Sequence, residues 1–144
     1  MDKAYIRDIK GRTAVNVETP TLMRVAAECK NVVAVKEASG DINQMKDVIA
    51  KRPQGFSVLS GDDNMTLELI KAGGDGIISV VSNLVPGKVV AMVKSALEGN
   101  MQEAEKLNAE LTPLYKSAFI ETNPIPIKAA CAMKGLCKEV YRLP

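Results

Sequence analysis

The strongest constraint on the fold is a short apolar run, Val32-Val33-Ala34-Val35, which has no alternating polar face. β-Branched side chains favour extended backbone, and a run that is apolar on both faces is typical of a strand buried in a parallel sheet. The run ends at Lys36 and continues into the loop Glu37-Ala38-Ser39-Gly40. Carboxyl ends of buried parallel strands are where α/β folds place their reactive groups.

Lys36 therefore has two interpretations. Burial would disfavour its ammonium form, lower its pKa and leave a free amine able to attack a carbonyl carbon. Alternatively, the aliphatic stem packs at the strand end and the charged head lies in water without a chemical role. The short run alone favours the second interpretation, whereas the rest of the chain favours the first.

The run belongs to a repeated order of strand and helix. Strands are predicted at residues 32–36, 56–60 and 77–81, each followed by apolar residues at helical spacing. Short connections in this order indicate parallel βα units. Polar residues follow each predicted strand and would line one mouth, as in a (β/α)8 barrel, although some of them could simply be helix caps.

The two ends of the chain have sequence patterns that differ from the central repeat of strand and helix. Residues 1–10 mix charged and bulky side chains and predict either a strand or a disordered lead-in, and Gly11-Arg12-Thr13 predicts a turn. Beyond residue 100 the spacing is helical only, with an interruption or kink expected at Pro113. The sequence thus predicts an α/β fold, a partial (β/α)8 TIM barrel of three or four βα units in residues 1–100. A helical region packed on the barrel is expected in residues 101–144.

Composition excludes several classes of function. The 19 basic and 17 acidic residues are spread along the chain without a basic block, which argues against nucleic-acid binding. Histidine is absent, so the commonest general base is missing and a metal site would depend on carboxylates and cysteines. The three cysteines, Cys29, Cys131 and Cys137, have no CxxC spacing and predict buried free thiols in a reducing compartment. No apolar run is long enough to span a bilayer, and the charged amino terminus is unlike a signal peptide, so a cytoplasmic location is expected.

Five segments carry a specific resemblance. They are Gly11-Arg12-Thr13 and the stretches at residues 36–40, 59–63, 76–80 and 123–128, which read KEASG, LSGDD, GIISV and NPIPIK. In order and spacing they resemble the dihydrodipicolinate synthase family of pyruvate-dependent Schiff-base aldolases and lyases. The resemblance extends from Gly11 nearly to the carboxyl terminus and corresponds to the C-terminal half of the family barrel.

The resemblance implies a specific reaction. Lys36 would form an imine with pyruvate, and the derived enamine would attack aspartate semialdehyde in the biosynthesis of lysine and diaminopimelate. Arg12 matches the family arginine that holds the semialdehyde carboxylate, and Gly61 and Ile78 match positions that contribute backbone groups near pyruvate. No metal or organic cofactor is implied, because pyruvate is bound covalently as a substrate.

Departures from the family pattern are also visible. The Gly-Thr-Thr-Gly-Glu type loop, which binds the pyruvate carboxylate in the family, has no counterpart here. An ungapped alignment places Arg7 where the family has its catalytic tyrosine and Lys10 where it has a proline, with Tyr5 two residues early. These differences predict weak or absent synthase activity for this chain alone.

Two other functions remain open at this stage. One is an N-acetylneuraminate lyase-like aldolase acting on a related 2-keto acid. The other is a non-catalytic truncated paralogue or a self-associating scaffold. Three parallel strands cannot close a barrel, so a homo-oligomer or a missing N-terminal half is expected. If residues 4–9 form a fourth strand, two copies would supply eight.

Overall fold

A computed structural model describes residues 2–142 and contains a parallel four-stranded sheet. The strands are hydrogen-bonded in chain order, so each βα unit adds its strand beside the previous one. Parallel strands in chain order bring their carboxyl ends to one edge, which confirms the predicted partial (β/α)8 barrel. The strands are β1 (Ala4–Asp8), β2 (Val32–Glu37), β3 (Ser57–Ser60) and β4 (Gly76–Ile77).

Helices connect the strands and make up the remainder of the described chain. Asp41 ends one of the loops as an N-cap, its carboxylate accepting from the Asn43 N–H over 2.8 Å. Aspartate is among the preferred N-cap residues, because its short side chain reaches the free N–H groups of the first turn. The helices are α1 (Lys10–Thr13), α2 (Thr19–Glu28), α3 (Ile42–Lys51), α4 (Thr66–Lys71), α5 (Pro86–Leu97), α6 (Met101–Ser117) and α7 (Ile125–Met133), with 3-10 turns at Asp63–Met65 and Val81–Asn83.

One face of the sheet carries the main core. Val35 and Val58 are fully buried there and pack with apolar side chains from α2, α3 and α4. Each such buried side chain contributes roughly 1.5–3 kcal/mol relative to an exposed one. Because side chains alternate along a strand, the neighbours of these valines point to the other face. The cluster comprises Leu22, Val35, Met45, Val48, Phe56, Val58 and Leu69.

At the two edges of the sheet the structure decides one open alternative and corrects two predictions. The ambiguous first segment forms strand β1, and the predicted turn after it is the short helix α1, which ends at Ala14 with φ 57°. The strand predicted at residues 77–81 is wrong beyond Ile77. There the Ser79 hydroxyl accepts from the Ser82 N–H over 2.9 Å, and this local bond favours a 3-10 turn over a longer ladder.

The chain divides into two compact units, Met1–Ile78 and Ser79–Pro144. The first unit contains the whole sheet. In the second, α5 and α6 bury Met92, Ala104 and Leu111. The interruption expected at Pro113 is not found, because α6 is continuous across this residue. The sequence-based division at residue 100 stays a prediction.

Two further expectations concern cysteines and membranes. All three cysteines are free, but only Cys131 is buried, so the prediction of buried thiols is wrong for Cys29 and Cys137. Cys29 follows the last turn of α2 as its C-cap, beyond the residues that face the core. Within residues 2–142, every helix is too short or too polar to cross a bilayer. The cytoplasmic location stays a prediction.

Candidate active site

Lys36 is the penultimate residue of β2, close to the carboxyl edge of the sheet. Its neighbours Val35 and Glu37 are 0% exposed on the face that packs against the helices. Because successive side chains of a strand alternate, Lys36 projects from the other face, where it is half-buried. Its amine is therefore separated from the apolar core and placed where a small molecule can approach it.

Gly61 directly follows β3 and lies against the Lys36 side chain. Its N–H donates to the Glu37 carbonyl over 2.6 Å. A Cβ at this position would lie 2.9 Å from Cε of Lys36 and 2.5 Å from Cβ of Ala38. Both distances are shorter than van der Waals contact, so only glycine permits this close approach of backbone to the lysine.

Charged groups of both signs surround the amine. Burial lowers the pKa of Lys36, and the Arg7 guanidinium lowers it further. Asp62 and Asp63 oppose this shift, whereas Arg12 adds a smaller lowering of the same pKa. The net effect is downward, so Lys36 holds a larger share of free amine at a given pH than an ordinary lysine.

Asp62 is the second perturbed group at this edge. Burial raises the pKa of its carboxyl group, against the opposing effect of the Lys36 ammonium, and Asp63 raises it further. The Asp62 backbone N–H donates to the Ser60 hydroxyl oxygen over 3.2 Å. The loop after β3 thus brings two carboxyl groups within electrostatic reach of the lysine.

The four site residues predicted from the sequence are not equally close to one another in the structure. Lys36 and Gly61 are in contact, and Arg12 in α1 acts on the lysine electrostatically. Ile78 follows β4, two strands away from Lys36, and its N–H donates to the Ser60 carbonyl over 2.8 Å. All four belong to the first unit and to the carboxyl edge of its sheet. The roles assigned to them from the resemblance stay predictions.

A buried polar cluster behind this edge was missed by sequence reasoning. Asp8 and Glu37 are register partners on β1 and β2, 2% and 0% exposed respectively. The Gln44 side-chain amide, from α3, donates to both carboxylates at 3.1 Å. Asp8 also accepts from the Val17 N–H at 3.2 Å, and Glu37 from the Ser39 N–H at 2.7 Å.

The cluster anchors the segments that flank Lys36. Buried carboxylates are stable only when hydrogen bonds compensate for lost hydration, and here backbone N–H groups and one amide provide them. The bond from Ser39 shapes the loop that begins beside the lysine. The sequence signal for this cluster was an acidic residue at the end of each of two adjacent strands. A buried acid needs hydrogen-bond donors, and polar side chains on a neighbouring helix can provide them.

Metal binding depends on how the potential ligand side chains are grouped. Among residues 2–142, no three His, Cys, Asp or Glu side chains are grouped so as to hold a metal ion. The reactive arrangement at this edge is an amine of lowered pKa between a glycine backbone and a mixed set of charges. Such an amine is a nucleophile for carbonyl groups.

The fold and the site define a portion of a (β/α)8 barrel with a lysine amine at the carboxyl edge of its strands. A family model described as the dihydrodipicolinate synthetase family matches residues 4–144. The chain belongs to this family.

Relatives and solved structures agree with the assignment. The chain is 47% identical over 139 residues to 4-hydroxy-tetrahydrodipicolinate synthase of Chlorobium phaeovibrioides, covering 96% of this chain and 47% of the relative. It is 49% identical over 137 residues to the enzyme of that name from Leptospira biflexa, covering 95% of this chain and 46% of the relative. The crystal structure of dihydrodipicolinate synthase from Aquifex aeolicus superposes with a TM-score of 0.96 at 40% identity, covering 99% of this chain and 48% of the other. The chain spans about half the length of the curated relatives it matches.

Proposed function

We propose that this chain carries the imine-forming centre of a 4-hydroxy-tetrahydrodipicolinate synthase. Lys36 condenses with the carbonyl carbon of pyruvate, and the enamine derived from that imine adds to aspartate semialdehyde. The observation that carries the proposal is the amine of lowered pKa, held against Gly61 at the carboxyl edge of a parallel sheet. Membership of the family supports the choice of these two substrates.

The first steps follow from the properties of the amine. Neutral Lys36 attacks the ketone carbon of pyruvate, and the carbinolamine so formed loses water to leave an imine between Nζ and that carbon. Protonation of the imine nitrogen makes the neighbouring methyl group acidic. Loss of a methyl proton then gives the enamine, whose carbon forms the new bond to the aldehyde.

The surrounding residues have complementary proposed roles. Arg12 binds the carboxylate of aspartate semialdehyde, as the family resemblance implies, and its position in α1 brings a positive charge near Lys36. Gly61 and Ile78 provide backbone beside the bound pyruvate. Burial and Arg7 lower the pKa of Lys36 and so increase its share of free amine, whereas Asp62 and Asp63 act in the opposite direction.

Self-association is part of the proposal. The sheet has four strands, and β1 and β4 lie at its two edges. Unpaired edges are prone to pair with further strands, and a closed barrel of this type has eight. We therefore propose a homo-oligomer in which a second copy covers the open sheet.

Reductive trapping tests the proposed chemistry. The protein is incubated with pyruvate and sodium borohydride, and peptide mass mapping then locates the modification. The expected result is one carboxyethyl group on Nζ of Lys36, because borohydride reduces the imine to a stable secondary amine. Lys36→Met should abolish this adduct.

A matched control separates the site from ordinary lysine reactivity. Lys46 is an exposed lysine on α3, and Lys46→Met should leave the adduct at Lys36 unchanged. Modification spread evenly over the surface lysines, or undiminished in Lys36→Met, would show that Lys36 is not the imine-forming residue.

A further inference from the structure

Arg7 occupies a distinctive position relative to the imine-forming lysine. It is the register partner of Lys36 in the parallel pairing of β1 with β2. Register partners on adjacent strands are about 4.8 Å apart along the hydrogen-bonding direction and project from the same face. The guanidinium and the amine therefore leave neighbouring strands side by side.

The residues next to Arg7 and Lys36 identify the face of the sheet from which these two side chains project. Asp8, next to Arg7, is 2% exposed, and Glu37, next to Lys36, is 0% exposed on the helix-packed face. Arg7 itself is exposed and Lys36 is half-buried. The alternation leaves both cationic side chains on the open face of the sheet, away from the buried carboxylates.

The other side of Lys36 is apolar. Its register partner on β3 is Leu59, which is half-buried and is followed across the sheet by Gly76. Lys36 thus has a cation on one side and an aliphatic side chain on the other. A 2-keto acid has the same asymmetry, with a carboxylate on one side of its carbonyl carbon and an alkyl group on the other.

The Arg7 guanidinium also has no salt-bridge partner within the described part of the chain. Among residues 2–142, the salt bridges of this protein pair other arginines and lysines with acids, and none includes Arg7. Its effect on the pKa of Lys36 is larger than that of Arg12. A planar guanidinium that is not neutralised by an acid is well suited to bind a carboxylate through two parallel hydrogen bonds.

We propose that Arg7 binds the carboxylate of the 2-keto acid whose carbonyl carbon condenses with Lys36, while Leu59 contacts its alkyl group. This inference rests on the proposed function, because it concerns the ligand of the same lysine. Arg7 then acts as a specificity-determining residue that favours keto acids over uncharged ketones. The assignment also distinguishes Arg7 from Arg12, whose proposed partner is the carboxylate of the second substrate.

The test compares pyruvate with methyl pyruvate, which keeps the ketone and the methyl group but lacks the negative charge. Trapping rates at Lys36 are measured for both compounds at concentrations below saturation, and the ratio of the two rates is the readout. Arg7→Met also removes a charge that lowers the pKa of Lys36. That change affects both compounds equally and cancels in the ratio.

Arg7→Met should lower the ratio of pyruvate to methyl pyruvate trapping by about tenfold or more, the loss expected for a charge-assisted pair. Arg7→Lys should restore part of the ratio, because it keeps the charge but not the two parallel bonds. Arg24→Met is the matched control. Arg24 is an exposed arginine on α2 whose side chain is 75% exposed, and its replacement should leave the ratio unchanged.

The outcomes are distinguishable. Trapping of the unmodified protein with an unchanged ratio in Arg7→Met would overturn this inference and leave the proposed function intact. An equal loss with both compounds would show that Arg7 acts only through the basicity of Lys36, which also overturns it. Failure of the unmodified protein to be trapped at Lys36 by either compound would overturn the proposed function and this inference together. Circular dichroism of each variant verifies that the sheet is retained.

Discussion

Lys36 combines burial with neighbours of both charges, and the balance among them determines its reactivity. Burial and Arg7 lower its pKa, whereas Asp62 and Asp63 raise it. An amine must be neutral to attack a carbonyl group, so each of these neighbours changes the fraction of reactive lysine at a given pH. Asp62 and Asp63 offset part of the free-energy cost of burying the Lys36 ammonium group.

The first prediction concerns the pH dependence of trapping. Asp62→Asn removes a carboxylate that raises the pKa of Lys36. The pKa should therefore fall further, and the rate of adduct formation with pyruvate should reach half its maximum at a lower pH than in the unmodified protein. The measurement is the trapping rate as a function of pH, with the adduct quantified by mass spectrometry.

Glu68→Gln provides the control for this prediction. Glu68 is an exposed acid on α4 and is not among the groups that act on Lys36. Its removal should leave the pH profile in place. A shift of the Asp62→Asn profile towards higher pH would contradict the electrostatic account of the site.

Helix α3 is hydrogen-bonded to the ends of β1 and β2, the strands that carry Arg7 and Lys36. Gln44 reaches from the helix to Asp8 at the end of β1 and to Glu37 at the end of β2. The two strand ends are also joined directly, since the Ala38 N–H donates to the Asp8 carbonyl over 2.9 Å. These bonds hold Arg7 and Lys36 in register, because each lies one residue before its anchored carboxylate.

The close approach of β3 to β2 is the basis of a second prediction. In Gly61→Ala the added methyl group would collide with Ala38 and with Cε of Lys36. Overpacking of this kind costs about 1–3 kcal/mol of unfolding free energy. Displacement of the lysine should also slow pyruvate trapping, and denaturant unfolding together with the trapping assay measures both effects.

Gly87→Ala is the matched glycine substitution. Gly87 lies in α5, and an added Cβ there would meet nothing within 4 Å. Alanine is the better helix former, so stability should be unchanged or rise by up to about 1 kcal/mol. Wild-type stability and trapping in Gly61→Ala would mean that this glycine is not required by the packing.

The sheet as a whole has an open face and two edges. Tyr5 is 50% exposed and is aligned with Ala34 and Ser57 on the face that carries Lys36. The burial of charged residues in β1 is unusual for a buried barrel strand: Arg7 is exposed, whereas Asp8 is buried and its carboxylate accepts hydrogen bonds from Val17 and Gln44. A second copy covering this face would bury Tyr5 and leave the Asp8 cluster unchanged.

Sedimentation velocity at micromolar concentration tests this assembly. The unmodified chain should sediment as a homo-oligomer, and Tyr5→Lys should shift it towards monomer by placing a charge on the covered face. Val90→Lys, at a residue that is 62% exposed on α5, should not have this effect. A folded, non-aggregating monomer of the unmodified chain would contradict the proposed assembly.

Local sequence signals predicted much of the fold. The apolar run of β2 and the order of strand and helix depend on near neighbours in the chain, and both are found in the structure. The extent of β4 was predicted wrongly. Val80 and Val81 have strong strand propensity, but the serine hydroxyl bond at residue 79 favours a turn there.

The site shows the same division between local and long-range information. A lysine at the end of a buried strand, followed by a loop of small residues, was predictable from residues 32–40, because backbone extension and burial follow from side-chain type and order. The pairing of Arg7 with Lys36 and the bridge from Gln44 to two carboxylates join residues 29, 36 and 7 positions apart along the chain. Strand register and helix docking create these contacts, and both are decided by how the whole core packs, so only the tertiary structure could reveal them.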